Sequence, residues 1–229
     1  MKRGRKRGAW WASAFDLVRP AFSAEGRSQI WTRVRHGSEI HQTTAHTEQD
    51  RYPEIMALAA TLHPSPSRIL SFGCSTGEEL ATLRRYFPKA EIVGAEINAR
   101  SRRVAAQRVK GDRGVSVVSP DKVSGLFEMI FALAVFQREP HKILEREVEN
   151  LAGHYPYERF DRGLTSLVDR LEEGGLLCVM HAHYPVELAS ASVMLEPIAN
   201  SPLMEPPLFG ADGRRLTNPV ARSVFRKSA

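Results

Sequence analysis

Cysteine is scarce in this chain of 229 residues: Cys74 and Cys178 are its only two. They stand far apart and neither belongs to a C-x-x-C spacing, which excludes a disulfide framework and a zinc site and points to a reducing compartment. No run approaches the roughly 20 apolar residues that a membrane span requires. The apolar stretch 9–15 follows basic residues, but Asp16 cuts it short of a signal-peptide core. A cytoplasmic location with no membrane partner is expected. Two nucleotide fingerprints are missing as well. There is no G-x-x-x-x-G-K-[ST], the loop that cradles a triphosphate, and no G-x-G-x-x-G of the dinucleotide enzymes. Internal repeats are absent too.

What remains is an ordinary globular composition, 42% hydrophobic and 25% charged, long enough for one domain with extensions and its own core. The net charge is +6, and Lys2-Arg3-Gly4-Arg5-Lys6-Arg7 holds much of the excess. Such a run reads as a solvated tail; contact with a nucleic acid is the competing reading. The Trp10-Trp11 pair and Trp31 either cover the domain or line a cleft.

Chemistry concentrates after residue 68. The apolar run 69–72 passes into the loop Gly73-Cys74-Ser75-Thr76-Gly77, and a helical pattern begins at Glu78 with Leu80, Leu83, Tyr86 and Phe87. This is a strand, a tight turn with bare backbone N–H groups, and a helix N-terminus behind them. Glycines kept for packing alone are the alternative reading. A second strand over 91–97 carries Glu96, about 20 residues past the loop, where a carboxylate accepts from ribose hydroxyls in dinucleotide folds. A basic helix over 99–110, a strand over 115–118 ending at Ser119-Pro120-Asp121, and an apolar strand over 127–136 follow. A charged helical segment over 141–152, a helix over 161–171 stopped by Gly174-Gly175, and a strand over 176–180 come next. The alternation of strand and helix implies an α/β fold with a parallel sheet.

The last of these strands runs into His181, His183 and Tyr184. Ligands of open parallel sheets sit beyond the carboxyl ends of strands, and histidine suits a general base near neutral pH, so His181 and His183 are the candidate catalytic residues. Polar residues simply leaving a sheet into solvent remain the alternative. His36, His41 and His46 recur every five residues, on no single helix or strand face, so no metal site is expected. The polar segment 36–53 carries His41, His46 and Tyr52, which with Tyr184 are candidate substrate-side residues.

The stretch Arg68-Ile-Leu-Ser-Phe-Gly-Cys-Ser-Thr-Gly-Glu-Glu-Leu80 resembles the class I S-adenosylmethionine-dependent methyltransferases. Their first motif reads like L-D-x-G-C-G-T-G-E, and their second strand ends in an acid, as Glu96 does here. The resemblance covers 68–184. It departs at Ser71, where the family usually has Asp or Glu, and at Ser75, a frequent Gly.

It implies a three-layer sandwich: a mostly parallel seven-stranded sheet, helices on both faces, and a C-terminal antiparallel hairpin from strands near 193–197 and 220–225. Residues 1–66 would be an extension serving as lid, and 67–229 the cofactor domain. S-adenosyl-L-methionine is the implied cofactor. Gly73, Cys74, Ser75, Thr76, Gly77 and Glu78 would lie against its amino-acid part. Glu96 with Ile97 and Asn98 would hold the ribose, while Ser119 and Ala132 complete the site. Gln137-Arg138-Glu139-Pro140 stands where adenine-methylating relatives show N/D-P-P-Y/F, which argues against that acceptor. The expected activity is O- or N-methylation of a small-molecule or sugar-like acceptor. RNA methylation and a non-catalytic cofactor-binding role are the alternatives.

Overall fold

A computed structural model describes residues 24–36, 41, 50–205 and 207–228. Its elements in chain order are α1 (Ala24–His36), α2 (Pro53–Leu62), β1 (Arg68–Phe72), α3 (Glu78–Tyr86), β2 (Glu91–Ala95), α4 (Ala99–Arg108) and β3 (Val115–Val118). There follow β4 (Phe127–Leu133), α5 (Pro140–Glu145), α6 (Tyr157–Val168), β5 (Leu171–Met180), β6 (Leu195–Pro197) and β7 (Val224–Lys227).

The strands form one seven-stranded sheet in the order β3-β2-β1-β4-β5-β7-β6. β1 to β5 are parallel, and β7 runs antiparallel to both β5 and β6. The expected hairpin is therefore present, with Leu177 opposite Phe225 and Glu196 opposite Arg226. Its second strand begins at Val224, four residues past the expected start.

β1 and β4 lie at the centre because they have almost no polar side chain to hydrate. Ile69, Leu70, Met129, Ile130 and Phe131 are fully buried, as both faces of a covered parallel sheet require. One face packs against α6, whose Phe160, Leu164, Leu167 and Val168 recur at helical spacing and are buried. Fully burying each such side chain contributes about 1.5–3 kcal/mol. The other face packs against Ile55, Met56 and Ala59 of α2 and Leu80 and Leu83 of α3.

Three expected boundaries shift, each for a local reason. β4 ends at Leu133, three residues early, because Ala134 turns to φ 59 and its N–H pairs with Met180 O at 2.8 Å. The helical segment expected over 141–152 shortens to α5, since Glu147 adopts φ 46 and breaks the spiral. The helix expected to stop at Gly174-Gly175 starts earlier, at Tyr157, and ends at Val168. The glycines instead form a bulge inside β5, where pairing jumps from Phe127–Leu171 to Met129–Leu176. Gly174 sits at φ +75, and a Cβ on Gly175 would lie 2.8 Å from Glu172 O.

At the carboxyl edge, Asn98 starts α4: its Oδ1 accepts from Arg100 N–H and Ser101 N–H, each at 3.0 Å. The same oxygen accepts from Ser28 Oγ at 3.0 Å, and Asn98 Nδ2 donates to Thr32 Oγ1 at 3.0 Å, which docks α1. Replacing Asn98 by Ala removes both functions. A helix cap is worth about 1 kcal/mol, so a thermal melt should fall by about 2–4 °C for a chain of this size. Hydrogen exchange should quicken in α1 while the sheet stays protected.

Candidate functional site

The turn after β1 is built to hold a carboxylate. Gly73 N–H and Cys74 N–H both donate to Ala95 O, at 2.8 and 3.1 Å, and Gly77 N–H donates to Cys74 O at 2.9 Å. Ser75 N–H donates to Glu96 Oε2 at 2.9 Å, and Asn98 N–H donates to Glu96 Oε1 at 2.6 Å. The expectation of bare loop amides is thus corrected. Buried N–H groups need partners, and the end of β2 supplies them. Glu96 is 8% exposed, and burial raises its pKa against the opposing pull of the Asn98 and Ser75 N–H groups and the Arg102 charge. A carboxylate offers about four acceptor positions. The N–H groups of Ser75, Asn98 and Ile97 draw on these, and the remainder is left for a ligand hydroxyl.

Gly73 is exposed at φ +78, and a Cβ there would meet Val135 Cγ2 at 2.6 Å. Ser75, standing where glycine is frequent, adopts φ 49, a left-handed conformation costing about 1–2 kcal/mol without a glycine. Its Oγ is buried with no hydrogen-bond partner among the described residues. A strained residue with an orphaned hydroxyl, beside an open glycine and an oriented carboxylate, matches a nucleoside-type ligand such as the implied cofactor.

The remaining residues expected at the cofactor divide. Thr76 and Glu78 turn to α4. Thr76 Oγ1 donates to Glu78 Oε2 at 2.7 Å, while Arg108 reaches Glu78 Oε1 at 2.6 Å and Thr76 O at 2.8 Å. Gly77 at φ +91 lets α3 pass Ala105, whose Cα would lie 3.1 Å from an added Cβ. Cys74 is buried against Gly94 and Leu80, and burial lifts its thiol pKa well above the usual range, so it packs and is no nucleophile. Ile97 is half-buried, its carbonyl taking Arg102 at 3.3 Å. The Ser119 hydroxyl bonds the Asp121 carboxylate. Asn98 has its side chain engaged in the cap and in α1. Ala132 is enclosed in the core between β1 and β5, which corrects its placement at the ligand.

The two candidate histidines part company. His183 is 4% exposed; its Nε2–H donates to Arg138 O at 3.1 Å, and the ring packs edge-on to Tyr155 and Phe209. Burial lowers its pKa, so it is a neutral core histidine. His41 joins the same cluster, with Nδ1 2.5 Å from Tyr155 OH and its ring 4.9 Å from Phe136. Burial and the charges of Arg159 and Arg162 push its pKa down to about 4. Tyr184 is fully buried and donates to Tyr155 O at 2.5 Å. His183 and Tyr184 are thereby removed from the substrate side, because this face is filled by aromatic rings.

His181 stands elsewhere, half-exposed at φ 50, its ring centroid 5.4 Å from that of Tyr52. Burial and Arg51 lower its pKa, partly offset by Glu205. Tyr52 OH is buried and has no hydrogen-bond partner among the described residues. The chain lies on the α6 side of the sheet at His41, and by Asp50, whose N–H donates to Thr82 Oγ1 at 3.1 Å, it lies against α3. His41 and Asp50 thus meet opposite faces of the sheet. His46, the basic run and Trp10-Trp11 lie outside the described residues.

One residue went unread. Glu79, on the first turn of α3, accepts from Ser71 Oγ at 2.6 Å. Burial raises its pKa to about 7 against that hydrogen bond and the Arg51 charge. The only sequence signal was the paired Glu78-Glu79 following a strand whose usual acid is replaced by Ser71. Among the described residues no cluster of ligand-type side chains gathers to hold a metal, and no helix is long and apolar enough to cross a membrane.

The strand order and the single reversed strand are those of a Rossmann-like methyltransferase fold. Solved structures of that fold are similar to it. NodS, an N-methyltransferase from Bradyrhizobium japonicum WM9 with S-adenosyl-L-homocysteine, is 19% identical with a TM-score of 0.42, over 57% of this chain and 59% of that one. CalS10, an amino pentose methyltransferase from Micromonospora echinaspora, is 15% identical with a TM-score of 0.42, over 78% and 58%. KedS8, a sugar N-methyltransferase from Streptoalloteichus sp ATCC 53650, is 16% identical with a TM-score of 0.40, over 78% and 56%. The chain thus spans less than two thirds of the length of each. At these identities the likeness is one of fold alone. No protein-family model matches the sequence, and no curated protein does.

Proposed function

We propose that this protein is an S-adenosylmethionine-dependent methyltransferase acting at oxygen or nitrogen of a small-molecule or sugar-like acceptor. One observation carries the reading: Glu96 is held by the Ser75 N–H of the glycine turn, so turn and carboxylate form a single preorganised unit at the carboxyl edge. Gly73 and Ser75 Oγ would face the bound cofactor, and Glu96 would take its ribose hydroxyls. When bound, the cofactor supplies an electrophilic methyl on sulfur for in-line displacement.

The chain's own task is to hold the acceptor close and aligned, which is worth about 7–11 kcal/mol. His181 is our candidate base. Its depressed pKa leaves the imidazole neutral near pH 7, able to accept a proton from an acceptor hydroxyl or amine. His183, buried and bonded to Arg138 O, is not assigned that role. Among the described residues the additions around the edge are α1, His41, the approach to α2 and the segment near Glu205, which supports a small acceptor.

A second reading, RNA as acceptor, draws on α4. Arg100, Arg103 and Gln107 are exposed and recur on one helix face, exposed Lys110 follows in the turn beyond, and no acidic residue stands among them from 97 to 111. A single experiment separates the readings. Calorimetry should show micromolar-range binding of S-adenosylmethionine, and methyl-labelled cofactor incubated with fractionated extract should label the small-molecule fraction. Label in RNA would select the second reading; binding without turnover in any fraction would indicate a non-catalytic role. An absence of binding would overturn the enzyme reading.

A further inference from the structure

α4 and the turn after it carry more positive charge than their surroundings neutralise. The span 97–113 holds the cations Arg100, Arg102, Arg103, Arg108, Lys110 and Arg113 and a single carboxylate, Asp112. Asp112 is already taken, since Arg84 donates to it at 2.7 and 3.2 Å. Arg108 pairs with Glu78 at 2.6 Å, and Arg102 donates to the carbonyls of Glu96 and Ile97. That leaves Arg100, Arg103, Lys110 and Arg113, all exposed and without an ion pair or side-chain hydrogen bond among the described residues. Arg100 and Arg103 stand one turn apart, where like charges repel, and a polyanion laid along them relieves that repulsion. An aromatic ring stands at the N-terminal end of the row. α1 docks there through Ser28 and Thr32 on Asn98, and Trp31, beside Thr32 in the chain, is 70% exposed. Gln107 is exposed on the face of Arg100 and Arg103, its amide unengaged among the described residues.

We infer that α4 and Trp31 form a docking surface for single-stranded RNA. Arg100, Arg103, Lys110 and Arg113 take its phosphates, and Trp31 stacks on an unpaired base. Gln107 both donates and accepts, which matches a ribose 2′-hydroxyl and selects RNA over DNA. The row starts at Asn98, two residues past Glu96, so a bound strand runs up to the carboxyl edge of the sheet. The inference deepens the second reading above by giving RNA a means of attachment, and it requires binding, not transfer. An anionic lipid surface is the rival partner, because α1 also exposes Ile30 and Val34. The unpaired cations, however, follow one another along α4 and the turn beyond it, apart from those apolar side chains, which suits a strand better than a plane.

The test is fluorescence anisotropy of the full chain with a labelled single-stranded oligoribonucleotide of mixed sequence. Four phosphate contacts on a single strand predict an affinity that falls at least about 50-fold between about 50 and about 200 mM salt. Arg100→Ala, Arg103→Ala and Lys110→Ala together should lower the slope of log affinity against log salt by about 2, whatever the basic run 2–7 adds. Trp31→Ala should weaken binding about tenfold and leave that slope unchanged. Trp10→Phe with Trp11→Phe leaves Trp31 as the sole tryptophan, and its fluorescence should be quenched as RNA is added. Gln107→Ala should erase a preference for RNA over DNA of the same sequence. All these side chains outside 1–23 are exposed, so their variants should melt as wild type does. No RNA binding at about 50 mM salt, a slope unchanged in the triple variant, equal wild-type affinity for DNA, or binding to phosphatidylglycerol vesicles in place of RNA overturns the inference. Each of these leaves the cofactor reading standing, since calorimetry with S-adenosylmethionine tests that separately. RNA that is bound here yet unlabelled by the methyl-labelled cofactor supports the docking surface and removes RNA as the acceptor.

Discussion

Glu96→Ala is expected to weaken S-adenosylmethionine binding by about 100-fold or more and to lower the melting temperature as well. The carboxylate does two jobs, and alanine ends both. Toward the protein, its loss leaves the N–H groups of Ser75 and Asn98 without their partner, each buried donor costing about 1–3 kcal/mol. Toward the ligand, it removes the acceptor for the ribose hydroxyls. Two hydrogen bonds to a charged group at about 1.5 kcal/mol each give 3 kcal/mol, roughly a 150-fold loss of affinity. Glu96→Gln keeps an oxygen for one N–H and should fall between, about tenfold down. Calorimetry and a melt on each variant check this. Wild-type affinity in Glu96→Ala would mean that the carboxylate only braces the turn.

The second large effect is expected from Gly73→Ala, which should abolish measurable cofactor binding. A Cβ at φ +78 is strained by about 1–2 kcal/mol. It would also stand 2.6 Å from Val135 Cγ2. Val135 is itself buried and, being β-branched, has little rotamer freedom with which to retreat. Relief of that clash would shift the turn against which a ligand would lie. These contributions separate experimentally. Gly73→Ala combined with Val135→Ala should recover stability without recovering binding. Gly77→Ala should destabilise in the same way, through φ +91 and Ala105, but behind the turn, so its folded fraction should still bind. Equal binding by Gly73→Ala and wild type would show that no ligand approaches that surface.

The fold was largely legible because its signals are local. The apolar runs at Ile69–Phe72 and Phe127–Leu133 hold one polar residue each, Ser71 and Glu128, too few to present a polar face to water, so they read as interior strands. The Gly73–Gly77 turn and the acid of Glu96 stand at the end of such strands by sequence position alone. Boundaries slipped where one residue took an unusual backbone angle, at Ala134 and Glu147, which neither periodicity nor composition encodes.

The site was legible only in part. That strands and helices alternate, that a glycine turn follows the first strand and that a carboxylate closes the second were determined by the sequence, since each follows from the side-chain pattern of a few consecutive residues. Tertiary structure alone decided that the turn's amides face β2, that Ser71 meets Glu79, and that His181 stays at the edge while His183, two residues on, is sealed among Tyr155 and Phe209. Those outcomes depend on which distant segment fills the space beside each group, and burial then sets its charge and its availability.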